Sequence, residues 1–390
     1  MFTASITAES CGRSSRFVGR GEIVREWLEA RNILAIRLDN IGDVILLGPA
    51  LRAVKETSPQ ANLTLLASPA GTTAIPLLPW IDDVLTWRVI WQDVGGRIPF
   101  DPARERGLIE MLAERQFDAA LIFTSFSQTP HVAGYVCYLA GIPLRAGESK
   151  EFGGSTLTTE LRSAPDEFHQ VERNLRLVEH LGFVVRQRRL MVAISDEARR
   201  AVPELLQRAG LRVDEPFMLL HPGASAKARR YPPERFGQVA HLLVQKGWPV
   251  LVTGVEREAE LLETVREQAP KASYLIGGTS LAEYAALVER ATLVICNDTL
   301  PMHLADAVGT PEVVLFSGTD YEEQWRPRTV PHRLLRRATP CHPCYLFECP
   351  IGLPCLDIAP QEVVEAVEET LTDTRVKDHL RKENVSGTPG

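Results

Sequence analysis

No apolar run in this sequence approaches the roughly 20 residues needed to span a bilayer, which argues against a membrane-spanning helix. The first 22 residues, MFTASITAESCGRSSRFVGRGE, hold no uninterrupted apolar segment. No secretory signal is therefore read, and the expected compartment is the cytoplasm. Positive charge is in deficit: 43 Lys and Arg stand against 50 Asp and Glu, a net charge of −7. That balance argues against a general binder of nucleic acid or anionic membrane. Two phosphate-binding fingerprints are missing as well. No G-x-G-x-x-G follows the first strand-like run and no G-x-x-x-x-G-K-[ST] occurs, so dinucleotide binding and P-loop chemistry lose support.

What is present is an alternation. From Ile33 onward, short apolar runs of strand character give way to helical patterns, first in "ILAIRL" and a helix over about 43–57, later in "NLTLLAS", "DVLTW" and "DAALIF". The second half repeats the scheme in "FMLLHPG", "PVLVTG", "ASYLIGG", "TLVICND" and "EVVLFSG", each followed or preceded by a helix. Such alternation implies βαβ units and a parallel sheet, and the continuously apolar strands imply cover on both faces. A chain of 390 residues exceeds one ordinary core, so two Rossmann-like domains facing across a cleft are expected. Their bounds are read as an N-terminal extension over 1–30, domains over 31–200 and 210–372, and a solvated tail over 373–390.

Ligands of open α/β sheets bind beyond the carboxyl ends of the strands. Three such places carry chemistry. "LDNIGDV", Leu38 to Val44, puts two carboxylates at a strand-to-helix turn. Asp39 reads as a turn or cap residue. Asp43 follows Gly42, which lets the chain bend sharply and aims Asp43 into the cleft. "HPGASAKARRYPPERF", His221 to Phe236, sets Lys227, Arg229 and Arg230 in a glycine-containing loop. Such cations take up charge developing on a diphosphate leaving group, though a solvated basic loop is the plain alternative. "CNDTLPMHLADAVG", Cys296 to Gly309, opens a helix at Asp298 and Thr299, with His303 one turn in. Capping alone explains the Asp and Thr; the functional alternative is a phosphate held on the free N–H groups. Glu256 and Glu258, just past another strand, either cap a helix or hold a ribose hydroxyl pair, and Glu256 is the candidate.

Together "RLDNIGDVILLGPALRAVKE", "HQVERNLRLVEHLG", "HPGASAKARRYPPERF" and "TSLAEYAALVERATLVICNDTLPMHLADAVGTPEVVLFSGTD" resemble the ADP-heptose:lipopolysaccharide heptosyltransferases, glycosyltransferase family 9, collinearly from about Ile33 to Leu371. The resemblance implies the GT-B fold, an N-terminal domain for a saccharide or lipid-linked acceptor and a C-terminal domain for a nucleotide-sugar donor. It also implies inversion at the anomeric carbon and no metal in the chemistry. Asp43 falls on the implied catalytic base. Arg229 and Tyr231 stand where the family usually has Lys and Trp. Asp298, Thr299 and His303 fall on the implied donor site, where Leu300 replaces a usual glycine; Val255, just past "PVLVTG", stands where a Gly-Gly pair is common. These departures leave open a GT-B transferase using a different nucleotide sugar on a natural product or protein. A non-catalytic nucleotide-sugar-binding module is the rival from another class. The acceptor side is expected in "FTSFSQTPHVAGY" and "GESKEFGGSTL", with His131 and Lys150 as candidate contacts for an anionic acceptor. An acceptor in the inner membrane would bring peripheral contact with it.

Four of the seven cysteines crowd into "CHPCYLFECPIGLPC": Cys341, Cys344, Cys349 and Cys355. The spacing suits a tetrahedral structural metal, zinc ahead of iron, with reduced thiols on a proline-rich loop as the alternative. Cys137 and Cys296 read as small buried hydrophobes, and Cys11 stands apart near the N-terminus.

Overall fold

The computed structural model describes residues 20–386; Cys11 and most of the expected N-terminal extension lie outside them. The first half holds β1 (Asn32–Arg37), β2 (Asn62–Ala67), β3 (Asp83–Thr86), β4 (Ala119–Ile122), β5 (Leu144–Ser149) and β6 (Thr159–Arg162). They form one parallel sheet in the order β3-β2-β1-β4-β5-β6. The second half holds β7 (Met218–His221), β8 (Val250–Gly254), β9 (Ser273–Ile276), β10 (Leu293–Asn297), β11 (Glu312–Leu315) and β12 (His332–Leu335). Their order, β12-β11-β10-β7-β8-β9, is the same topology over again, also parallel. This is the GT-B arrangement.

Successive residues of a strand point to opposite faces, and β1 shows why its run is apolar throughout. Ile33 and Ala35 join one core with Val44, Leu47 and Leu51, while Leu34 and Ile36 join another with Leu108, Leu112 and Cys137. The first of these cores does not stop at the domain boundary. It runs on through Leu287, Met302 and Leu304 of the second half, so the two halves share one apolar interior. The helix Asp196–Arg208 joins them, capped by Ser195 Oγ, which accepts the Ala198 N–H at 3.1 Å.

Strands β6 and β12 are not legible in the sequence. Both are four-residue edge strands with exposed or half-buried polar residues, without the apolar run that marks the inner ones. The final helix, Pro360–Ser386, buries Val363, Val364, Val367 and Leu371 against the second half. It continues past 372, where a tail was expected. No helix among the described residues is long and apolar enough to cross a membrane.

Each sheet reverses its strand order between two inner strands, β1/β4 in one and β7/β10 in the other. A crevice opens at such a point, and the loops leaving those four strands line it.

Candidate active site between the two sheets

β1 ends in a charge: Arg37 is fully buried. Its Nη2 donates to Asp43 Oδ1 at 2.7 Å and to Ser125 Oγ at 2.8 Å. Its Nε lies 3.0 Å from Asp39 Oδ2, without the alignment of a hydrogen bond. The other Asp43 oxygen, Oδ2, accepts the Asn40 N–H at 3.2 Å, so Asp43 closes the first turn of the short helix Ile41–Ile45. Asp39 is not the loop-facing turn residue expected. Its carboxyl is buried against Arg37, and Gln128 Nε2 donates to it. Burial pushes the Asp39 carboxyl above its ordinary range, against the pull of Arg37, with Asp43 adding to the rise.

Gly42 serves a different end from the one read in sequence. Its φ is not positive; the residue is helical. A Cβ there would lie 2.8 Å from His303 Cδ2 and 3.8 Å from Leu300 Cα, so only glycine lets the turn approach the second half this closely. The Asp43 turn and the start of the helix Leu300–Val308 are thereby in direct contact.

In the second half, Asn297 ends β10 and ties the crevice together. Its Oδ1 accepts the Tyr231 N–H at 3.0 Å, and its Nδ2 donates to Pro222 O at 2.9 Å and Gly223 O at 3.3 Å. Next to it Asp298 is buried; Ser317 Oγ donates to Oδ2 at 3.3 Å, and Oδ1 has no partner. Burial raises the Asp298 carboxyl to about 7 even with Arg229 Nε at 3.7 Å pulling it down. Thr299 occupies the N-cap position with no side-chain cap bond, so capping does not account for this pair. His303 is buried, and burial lowers its imidazole to about 4 against the opposing charges of Asp43 and Asp306.

Arg229 faces this group. Nε donates to Thr319 Oγ1 at 3.1 Å, and Nη2 pairs with Asp320. Burial works against its charge, but Asp298, Asp320 and Asp43 outweigh that and hold the guanidinium above its ordinary value. Arg229 thus lies within the field of Asp43, Asp298 and His303, and Asp43 also acts on His303. Thr299, next in sequence to Asp298, sits at the helix start.

The other expected residues are placed elsewhere. Lys227 is exposed and pairs with Glu348, away from Arg229's partners. Glu256 is exposed beside Gly277, whereas Glu258 is buried under the loop at Gly223. A Cβ on Gly223 would meet Glu258 Oε1 at 2.3 Å, and Glu258 Oε2 accepts the Val255 N–H at 3.1 Å. His131 commits both ring nitrogens within its own half, to Thr156 Oγ1 and Ser149 Oγ, each at 2.8 Å. Lys150 is exposed and pairs with Asp166.

The cysteine loop braces the second half of the crevice through its backbone. Cys344 N donates to Gly318 O at 3.0 Å, Tyr345 N to Thr319 O at 2.9 Å, and Ala228 N to Phe347 O at 3.0 Å. All four thiols are free, from exposed Cys341 to buried Cys355. Among the described residues no three His, Cys, Asp or Glu side chains converge as a metal group. Three of the thiols nonetheless lie near one another: burial raises the Cys355 thiol, and Cys349 and Cys344 add to the rise. Cys349 Sγ accepts the Leu353 N–H at 3.3 Å, and Cys341 Sγ turns to Thr339 Oγ1 at 3.5 Å.

Arg37, Ser125, Gln128 and Asn297 carry much of this geometry. One signal for Arg37 was in the sequence: a charge that closes an apolar strand is buried with that strand, and a buried charge needs a partner.

Comparison with known proteins fits this geometry. The sequence pattern of glycosyltransferase family 9 (heptosyltransferase) matches residues 106–353. Lipopolysaccharide heptosyltransferase 3 of Escherichia coli K12 is 25% identical over 299 residues, covering 74% of this chain and 83% of that protein. Among solved structures, a family 9 glycosyl transferase from Veillonella parvula superposes with a TM-score of 0.70 at 21% identity, covering 88% of this chain and 97% of that one. E. coli ADP-heptose LPS heptosyltransferase II gives 0.67 at 22% identity, covering 88% and 99%.

Proposed function

The chain belongs to glycosyltransferase family 9, and from that membership we propose that it moves a heptose, with inversion, from an ADP-sugar to a hydroxyl of a saccharide acceptor of the lipopolysaccharide core. The acceptor oxygen attacks the anomeric carbon and forms the new C–O bond while the bond from that carbon to the diphosphate oxygen breaks. Asp43 takes the acceptor's proton, and ADP leaves with the electron pair of the broken bond. Arg229 and the uncapped helix start from Asp298 and Thr299 to His303 neutralise the charge gathering on the diphosphate. The observation that carries the reading is the contact of Gly42 with His303, which sets the proposed base against the proposed leaving-group site.

A heptose is supported by the name of the curated relative, and ADP-heptose as donor by that of the E. coli structural neighbour. One observation favours a second reading, a different nucleotide sugar in the same pocket. Leu300, where the family usually has glycine, fills space at the helix start and packs on the shared core. A thermal-shift series with ADP, GDP and UDP on wild type and Asp43→Ala tests the nucleotide, and a transfer assay on the same two proteins tests the base. ADP at 100 times its dissociation constant should add about 2.7 kcal/mol of stability to either protein. Transfer should vanish in Asp43→Ala alone. A larger shift with UDP or GDP overturns the donor assignment, and near-normal transfer by Asp43→Ala overturns the base.

A further inference from the structure

We propose that Arg37 is the positioning residue of this transferase: it fixes the Asp43 carboxylate and couples it to the loop that leaves β4. The inference rests on Asp43 being the base. Arg37 ends β1 at the crevice, and the loop 123–130 leaves β4, its neighbour across that crevice. One nitrogen, Nη2, joins the two by donating to Asp43 Oδ1 at 2.7 Å and Ser125 Oγ at 2.8 Å.

A second strand of bonds runs beside it. Gln128 Oε1 accepts the Ser125 N–H at 3.0 Å, while Gln128 Nε2 donates to Asp39, the other carboxylate against Arg37. Gln170 Nε2, buried, holds the start of the same loop through Thr124 O at 3.1 Å. The charged and titratable groups facing Asp43 are therefore Arg37 and Asp39 from its own sheet, with Arg229 and the imidazole of His303 from the other half. Both Asp43 oxygens are held before any substrate arrives, one by Arg37 and one by the Asn40 N–H. A base so fixed meets an acceptor hydroxyl in one orientation, and any displacement of the loop is passed to it through Arg37.

The test uses Arg37→Lys, Arg37→Met and the double variant Arg37→Met/Asp39→Asn, which removes the buried cation together with one of its carboxylates and so limits the loss of fold. Hydrogen exchange is read without substrate. Faster exchange is expected together in 38–45 and 124–128 of Arg37→Lys, with 297–303 unchanged. Loosening of one segment without the other overturns the coupling. Kinetics with ADP-heptose and a heptose-deficient lipopolysaccharide should show kcat of the double variant down about 100-fold at a donor KM within about 3-fold, with Arg37→Lys recovering about tenfold of that loss. A double variant with kcat near wild type overturns the proposal. So does an Arg37→Lys no better than Arg37→Met, since a merely structural loss would follow the melting temperature and not split kcat from KM. If the double variant does not fold, Arg37→Lys decides alone: lower kcat at unchanged donor KM supports the role, and unchanged kcat overturns it. Asp43→Ala keeps the outcomes apart. Normal turnover there removes the base and this proposal together, whereas a dead Asp43→Ala beside unimpaired Arg37 variants removes only the positioning role.

Discussion

His303 shows how one side chain ties the site to stability. Burial brings its imidazole down to about 4, so the folded protein binds its proton less readily than the unfolded chain does. Its contribution is present above pH about 6.5 and is lost as pH falls through about 4, a span worth about 3 kcal/mol. Asp298 runs the other way. Raised to about 7, it contributes below pH about 4 and loses that contribution as pH rises through about 7. His169 shares the direction of His303, with burial lowering it to about 3. Its Nδ1 accepts the Val171 N–H at 3.1 Å, so protonation there costs a helix cap. His303→Gln should therefore lose less melting temperature than wild type between pH 6.5 and 4. Melts across that range check it, and parallel slopes would remove His303 as the cause. Residue by residue, the sequence was an uneven guide. Asp298, Thr299 and His303 could be picked out as candidates because they follow the end of β10 and open the next helix. Lys227 was misplaced because a basic loop does not say which of its cations turns inward. Asp39 was misread because burial under Gln128, 89 positions away, is not a local property.

At the scale of elements, the site is made by strand ends held in register. Asn297 is the clearest case: three hydrogen bonds from one buried amide join the end of β10 to both sides of the loop 222–231. Asn297→Ala leaves the Tyr231 N–H and the Pro222 carbonyl buried without that partner, at about 1–3 kcal/mol each. The variant should melt several degrees lower and bind ADP about tenfold more weakly, if loop shape sets affinity. A melt that drops with ADP affinity intact would show that Asn297 supports the fold and not the pocket; calorimetric titration separates the two. The inner strands were readable as apolar runs. The helix expected over 43–57 was not read as two, yet the cause is local: Pro49 lacks the N–H that would continue the helix, and the chain restarts as Gly48–Thr57.

At the scale of the whole molecule, the halves share one core and meet at Gly42. Gly42→Ala places a methyl 2.8 Å from His303 Cδ2, closer than carbon atoms pack, so the seam must open. On the proposed function, in which the second half holds ADP, ADP should bind within about 3-fold of wild type, while kcat falls by about tenfold or more because the proposed base withdraws from the proposed leaving-group site. Steady-state kinetics beside an ADP titration measure both, and an unchanged kcat would mean that this contact is not part of turnover. Other ties cross the same seam: Arg328 to Glu172, Gln324 Nε2 to Asp166 O at 2.7 Å and His169 Nε2 to Arg326 O at 3.0 Å.

The sequence by itself determined the α/β class, the two-domain plan and the positions past the strand ends where chemistry gathers. Apolar period, turn residues and charge are local properties, and the family motifs are collinear strings. Only the tertiary structure decided which of those positions meet. Packing across the shared core set Gly42 on His303, buried Arg37 between Asp39 and Asp43, and left Lys227 outside. It also set the cysteine loop against the second half, with Cys344 N donating to Gly318 O and Tyr345 N to Thr319 O. Distances between segments that far apart in the chain follow from how two sheets pack, and no local pattern encodes them.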